Sequence, residues 1–185
     1  LGSVTPTGYA WDFGDGDTST LQNPSHTYLS AGQYTVTMSI MSSQGQVTAT
    51  ETNLITVSPN VQMSTSLASG PAPLTITLTD TTLIGNLTIT DWMWNFGDGT
   101  GTMTTQSNSQ THTYTTPGNY TPTLTIVTAG GNFSGSLAAP IMVNPVPAFS
   151  TDLRSGPGAF TVPFTDDTAG GTVNTTSRAW DFGDG

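Results

Sequence analysis

The sequence predicts an all-β chain made of tandem antiparallel β-sandwiches, and three observations carry that expectation. Short runs alternate apolar residues with threonine. Gly-Pro and Gly-Asp-Gly turn signals separate these runs. One six-residue segment occurs three times, as Trp11-Asp12-Phe13-Gly14-Asp15-Gly16, Trp94-Asn95-Phe96-Gly97-Asp98-Gly99 and Trp180-Asp181-Phe182-Gly183-Asp184-Gly185, at spacings of 83 and 86 residues. Period-two alternation marks a strand with one face inward, and recurrence at a long, nearly fixed period marks one module repeated in tandem. No segment sustains the 3.6-residue period of an amphipathic helix.

The elements follow in order. In the first copy Tyr9, Trp11 and Phe13 share one face of a strand that ends at Asp15-Gly16. Asp-Gly is a strong hairpin signal, because glycine takes positive φ without a Cβ clash and aspartate tolerates it. His26-Thr27-Tyr28 comes next, then a turn at Gly32, an alternating strand (Tyr34, Val36, Met38, Ile40) and a last strand with Ile55 and Val57. The second copy adds what precedes the motif. After Gly70-Pro71, Leu74, Ile76 and Leu78 alternate with Thr75, Thr77 and Thr79 and stop at Asp80. Trp92, Trp94 and Phe96 follow, then His112-Thr113-Tyr114, a turn at Gly118, the run Tyr120, Pro122, Leu124, Ile126, and a last strand with Ile141 and Val143. Proline cannot donate to a ladder, so Pro122 predicts an edge position or a bulge. In the third copy, Gly156-Pro157 leads into an expected strand through Phe160, Val162 and Phe164, closing at Asp166, with the Trp180 strand after it. This divides the chain into 1–58, 59–144 and 145–185, joined by the proline-bearing junctions Ser58-Pro59-Asn60 and Asn144-Pro145-Val146-Pro147. Proline stiffens a linker, so an extended rod is expected rather than loosely tethered beads.

Composition narrows the function. The 185 residues carry a net charge of −10, with 8% charged residues and only two cations, Arg154 and Arg178. Phosphate binding depends on Lys and Arg, which argues against nucleic acid and against an anionic membrane surface. No apolar run approaches a membrane span. There is no cysteine, hence no disulfide framework and no thiolate chemistry. The polar share is mostly hydroxyl, 38 threonines and 18 serines, as suits strands with one hydroxyl-rich face.

The Trp-Asp-Phe-Gly-Asp-Gly strand and turn, the His-Thr-Tyr element and the Gly-x-Tyr strand stand in one order in copies one and two, and together they closely resemble the PKD (polycystic kidney disease) domain family. The resemblance implies immunoglobulin-like antiparallel β-sandwiches. It also implies an extracellular or cell-surface setting, where such domains serve as spacers, adhesion modules or accessory modules beside enzymes. Copy two departs from the pattern: Asn95 replaces the aspartate of Asp12 and Asp181, three residues are inserted before His112, and Pro122 replaces the usual valine. With Asn95 in that place, copy two is not expected to share any role of that aspartate.

The repeated residues are read as a structural motif: Trp11, Asp12, Gly14, Asp15, Gly16, His26, Tyr28 and Tyr34; Trp94, Gly97, Asp98, Gly99, His112, Tyr114 and Tyr120; and Trp180, Asp181, Gly183, Asp184 and Gly185. His26 and His112 are expected to hydrogen-bond the Gly-Asp-Gly turn, since a general base or metal ligand needs clustered partners. No catalytic, cofactor or metal site is assigned. A structural calcium at Asp12, Asp15 and Asp17, or at Asp166-Asp167, is the alternative, although the twelve-residue calcium loop with its closing glutamate is absent. Trp92 aligns with Tyr9 and Arg178 and is the candidate for an exposed carbohydrate platform. Asn86, Asn119, Asn132 and Asn174 lie in Asn-x-Ser/Thr sequons and are the candidate N-glycan carriers; O-glycans on the threonines are equally conceivable.

Copy one lacks the first strands of a sandwich and copy three the later ones. The expected partners are therefore the continuation of a longer array, the favoured reading, or neighbouring copies completing each other by strand complementation. The resulting expectation is a non-enzymatic, glycosylated structural protein of an extracellular filament or stalk. The alternatives are an adhesive or carbohydrate-binding module, or an accessory spacer of a secreted enzyme.

Overall fold

A computed structural model describes residues 5–184; Gly185 of the third motif lies outside them. Among the described residues there are strands and no helix. The first module is one antiparallel sheet of β1 (Pro6–Asp12), β2 (Thr18–Ser19), β3 (Gly32–Ser42) and β4 (Gly45–Val57), ordered β2-β1-β3-β4. The predicted Tyr34–Ile40 alternation lies within β3, and Ile55 and Val57 end β4.

The central module is a sandwich. Its strands are β5 (Met63–Thr65), β6 (Ser69–Pro71), β7 (Leu74–Asp80), β8 (Ile89–Asn95), β9 (Thr102–Thr105), β10 (Ser109–Tyr114), β11 (Gly118–Tyr120), β12 (Thr123–Thr128), β13 (Gly131–Ser136) and β14 (Ile141–Asn144). The sheet β10-β7-β5 faces the sheet β13-β12-β8-β9, and β11-β14-β6 extends the second layer, with β6 parallel to β14. The core lies between the layers: Leu74, Ile76 and Leu78 of β7 and Tyr114 of β10 meet Trp94 of β8, Leu124 and Ile126 of β12, and Ile141 and Val143 of β14. Each such burial contributes about 1.5–3 kcal/mol. The threonines between the core positions face outward and pair across strands. Thr75–Thr113, Thr77–Thr111 and Thr79–Ser109 form a hydroxyl ladder over β7 and β10, and Thr37–Thr50 and Ser39–Thr48 form another over β3 and β4. Such cross-strand pairs contribute a few tenths of a kcal/mol to about 1 kcal/mol each.

Pro122 is a break inside the layer, not an edge. It is fully buried, and the strand after it, β12, runs between β8 and β13. Residues 121–122 on one hairpin arm oppose 137–140 on the other, and the Pro122 carbonyl accepts the Leu137 N–H at 2.9 Å. In the first module the corresponding hairpin, β3 with β4, runs unbroken apart from one register shift between Tyr34 and Val36.

The third module departs most from expectation. Among the described residues it holds only β15 (Phe149–Ser150) and β16 (Thr165–Asp166), which pair antiparallel. The strand expected through Phe160, Val162 and Phe164 is irregular up to Thr165, and the Trp180 segment is not a strand. In the central module β7 is held between β5 and β10, and no counterpart of β10 exists among the described residues here. A short two-stranded pair is marginal by itself. Phe160 and Phe164 are accordingly 40% and 39% exposed, where Leu74 and Leu78 are 5% and 0%. The same logic separates the two His-Thr-Tyr segments. His112–Tyr114 ends β10 because β7 pairs with it, whereas His26–Tyr28, with no such neighbour among the described residues, is irregular.

Candidate functional site

The repeated motif builds one local network, which explains its residues one at a time. Where the motif strand ends, the Oδ1 of Asp12, Asn95 or Asp181 accepts the N–H two residues on, at 2.9 Å in each copy (Gly14, Gly97 and Gly183). Only an acceptor oxygen is needed there, so Asn95 does what aspartate does. Gly14 and Gly97 take positive φ, +83° and +77°, and a Cβ on either would strike the carbonyl oxygen of Thr35 or Thr121. The second aspartate bridges turn and histidine. Asp15 Oδ1 accepts the Asp17 N–H at 3.1 Å and its Oδ2 lies 2.6 Å from His26 Nε2. Asp98 does the same with the Thr100 N–H (3.1 Å) and His112 Nε2 (2.7 Å).

Each histidine ring is fixed on both sides. His26 stacks on Phe13 at 4.2 Å and meets Tyr28 edge-on; His112 stacks on Phe96 at 3.9 Å and meets Tyr114 edge-on. The tyrosines then stack on Tyr34 and Tyr120. Tyr28 donates to the Phe13 carbonyl at 3.0 Å and Tyr114 to that of Phe96 at 2.9 Å, while Tyr34 and Tyr120 donate to Ser30 and Thr116. Phenylalanine, histidine and two tyrosines thus form a continuous ladder that ties the turn to the Gly-x-Tyr strand.

The electrostatics follow from these contacts. The hydrogen bond from His26 holds the Asp15 carboxyl below its usual range. Burial raises that of Asp98, but the Thr100 hydroxyl, His112 and the Thr100 N–H together outweigh it and lower the carboxyl. Burial, with the Asp98 charge beside it, pushes the Tyr114 hydroxyl far up.

Among the described residues Asp15, Asp17 and His26 are the one group whose ligand atoms fall within 4.8 Å of one another, a spacing that could hold a cation. The second copy argues that the histidine–aspartate pair does not need one. There Thr100 replaces Asp17, its hydroxyl donates to Asp98 Oδ1 at 2.6 Å, and the pair has the same geometry. Asp12 points instead to its own Gly14.

The other candidates are placed as follows. Trp92 is half-buried against the central core, and its Nε1 donates to Asp80 Oδ2 at 2.7 Å. Its counterpart Arg178 donates its Nε to Asp166, the counterpart of Asp80. The Thr168 side chain, then Arg178 and the Thr168 N–H, hold Asp166 at about 2. In the two copies that carry it, the aspartate closing this strand anchors the side chain two residues before the motif tryptophan. The sequence showed that aspartate without showing its partner. Trp11 Nε1 donates to the Leu21 carbonyl at 3.1 Å, whereas Trp94 Nε1 is buried with no hydrogen-bond partner among the described residues. Trp180 is 41% exposed and, with Phe149, Phe164 and Phe182, lines a cleft of about 570 Å³ on the third module. Asn86, Asn119, Asn132 and Asn174 are all exposed. Among the described residues Asn86 is the one of the four with both amide atoms engaged: its Oδ1 accepts the Gln33 N–H and its Nδ2 donates to the Gln33 carbonyl, each at 2.9 Å.

Three comparisons with known proteins bear on the family. A 48-residue stretch is 50% identical to a microbial collagenase of Vibrio alginolyticus, covering 26% of this chain and 6% of that protein. A 58-residue stretch is 43% identical to collagenase ColA of Bacillus cereus, covering 31% of this chain and 6% of that one. The chain thus spans only a small fraction of the length of these relatives. Among solved structures, the fibronectin(III)-like modules of Clostridium thermocellum CbhA align with 77% of this chain and 80% of theirs at 12% identity and a TM-score of 0.38. The family model of the PKD domain matches residues 1–57 and again 59–141. With the motif accounted for atom by atom in two copies and matched over most of its length, the chain belongs to the PKD domain family.

Proposed function

We propose that this chain is a non-catalytic spacer of an extracellular protein, a run of PKD modules that sets distance and orientation and makes or breaks no bond. The observation that carries this reading is the internal pairing of the motif. His26 and His112, the only histidines, are each bonded to an aspartate and stacked on a phenylalanine. A general base needs a lone pair within reach of a substrate proton, and the side chains of His26 and His112 are only 12% and 15% exposed, held between turn and ring stack. Collagen is an extracellular substrate, so the names of the relatives support an extracellular location. They also favour an accessory segment of a secreted hydrolase as the specific form of the spacer. A glycosylated filament or stalk is the second form, supported by the tandem repeat and the proline-bearing junctions. A carbohydrate platform at Trp92 is less favoured, because Asp80 and the core hold that ring.

Small-angle scattering and binding measurements on the same preparation test the proposal. The expected result is an elongated particle that does not bind collagen fibrils or polysaccharides at micromolar concentration. A compact particle, or saturable micromolar binding to either polymer, would overturn it.

A further inference from the structure

Two places where one module touches the next are built alike. Between modules one and two, the loop carrying Gly85 and Asn86 lies on the turn Ala31-Gly32-Gln33. Gly85 adopts φ +58°, and a Cβ on it would overlap the Ala31 carbonyl. Asn86 closes the contact with its paired hydrogen bonds to the backbone of Gln33. The Gln33 side chain in turn reaches Gly130, beside the buried Leu87. Between modules two and three, 86 residues on, Gly171 adopts φ +56° and a Cβ on it would overlap the Pro117 carbonyl. The Thr172 N–H donates to that carbonyl at 3.1 Å, and the Thr172 hydroxyl lies over Gly118. The positions correspond one to one: Gly85 with Gly171, Asn86 with Thr172, Ala31 with Pro117, and Gly32 with Gly118.

We infer that this loop and turn form a module-to-module docking site, in which the Gly-Asn or Gly-Thr loop of a following module seats on the turn before the Gly-x-Tyr strand of the preceding one and holds successive modules in one orientation. Two features make it a specific surface rather than incidental contact. A left-handed glycine is required twice at the same point, because any side chain there meets backbone and not a flexible neighbour. The amide of Asn86 also matches the N–H and C=O of a single residue, so neither partner group is left unpaired. Its partner is another module of this family carrying that loop, which makes the array a chain of nearest-neighbour contacts. The inference deepens the spacer reading, since a spacer transmits orientation only if its joints are stiff.

Spin-label distance measurements on the 185-residue chain test it, and the lack of native cysteine makes labelling clean. Labels at Ser43→Cys in module one and Thr104→Cys in module two report the joint; a pair within module two reports its fold. The intact chain is expected to give one narrow inter-module distance. Gly85→Val or Asn86→Ala should widen that distribution at least twofold and leave the pair within module two unchanged. If Gly85→Val also disturbs the module pair, Asn86→Ala, which removes only an exposed amide, decides the matter. A broad distribution in the intact chain, or a narrow one that survives Asn86→Ala, would overturn the docking site. Neither outcome depends on collagen or polysaccharide binding, so failure of the joint and failure of the spacer function are separable.

Discussion

Replacing Tyr114 by phenylalanine isolates one bond of the motif network. Tyr114 is 1% exposed, and its hydroxyl donates to the Phe96 carbonyl at 2.9 Å. The substitution leaves the ring in its stack with Tyr120 and its edge contact with His112, so almost nothing is lost except the hydroxyl. What remains is a buried carbonyl with its donor removed. Such a group costs about 1–3 kcal/mol, and the second lone pair of the carbonyl and a slight shift of the chain put the expected loss near the lower half, about 1–2 kcal/mol. For a domain of this size that corresponds to a fall in melting temperature of about 5–15 °C. The first module supplies an internal control. Tyr28 makes the same bond to the Phe13 carbonyl at 3.0 Å, but only part-buried, so water can replace it, and Tyr28→Phe is expected to cost about 0.5–1 kcal/mol. Scanning calorimetry of the whole chain, with each variant run beside the parent, measures both. A shift below about 1 °C for Tyr114→Phe, or one no larger than that of Tyr28→Phe, would refute the claim that this hydroxyl ties the turn to the strand.

Asp12→Asn should be nearly silent, within about 0.5 kcal/mol by denaturant midpoint, because Asn95 already makes the same acceptor bond. Asp12→Ala, which removes the acceptor, should cost about 0.5–1.5 kcal/mol. The carboxyl of Asp98 is lowered in the folded state, so its contribution is complete above the ordinary carboxylate value of 3.8 and is lost as pH falls through the lower folded value. Urea midpoints taken between neutral pH and about pH 2 should show this acid loss, and Asp98→Asn should flatten it; an equal slope in the variant counts against the aspartate–histidine bridge. In a host that attaches N-glycans, peptide mass spectrometry should find Asn86 the least occupied of the four sequons, since its amide is already held by Gln33. Occupancy at Asn86 equal to that at Asn132 would contradict this.

The all-β class, the period of the repeat and the positions of the motif hairpins are read from the residues alone. These are local properties: alternation at period two and a glycine where φ must be positive are legible within a few residues of chain, whereas the acceptor role shared by Asp12 and Asn95 emerged only in the structure. The sequence also placed the two histidines beside their turns, because both are followed by the same neighbours, Thr-Tyr and then Gly-x-Tyr, at the same spacing. Which copies of a segment become strands depends on the rest of the fold. His112-Thr113-Tyr114 and His26-Thr27-Tyr28 are the same words, yet one is laddered and one is not, because a strand needs hydrogen-bond partners that only another part of the chain can bring. Phe160, Val162 and Phe164 alternate as well as Leu74, Ile76 and Leu78 do, and remain irregular for the same reason. The pairing of Asp80 with Trp92, and of Asp166 with Arg178, was equally hidden, since an aspartate accepts a bond from an indole or a guanidinium without preference that a sequence could display. The joint was the least visible of all. Its signals were two pairs of glycines 86 residues apart, Gly32 with Gly118 and Gly85 with Gly171, and a glycine does not announce the carbonyl of a neighbouring module that forbids it a side chain.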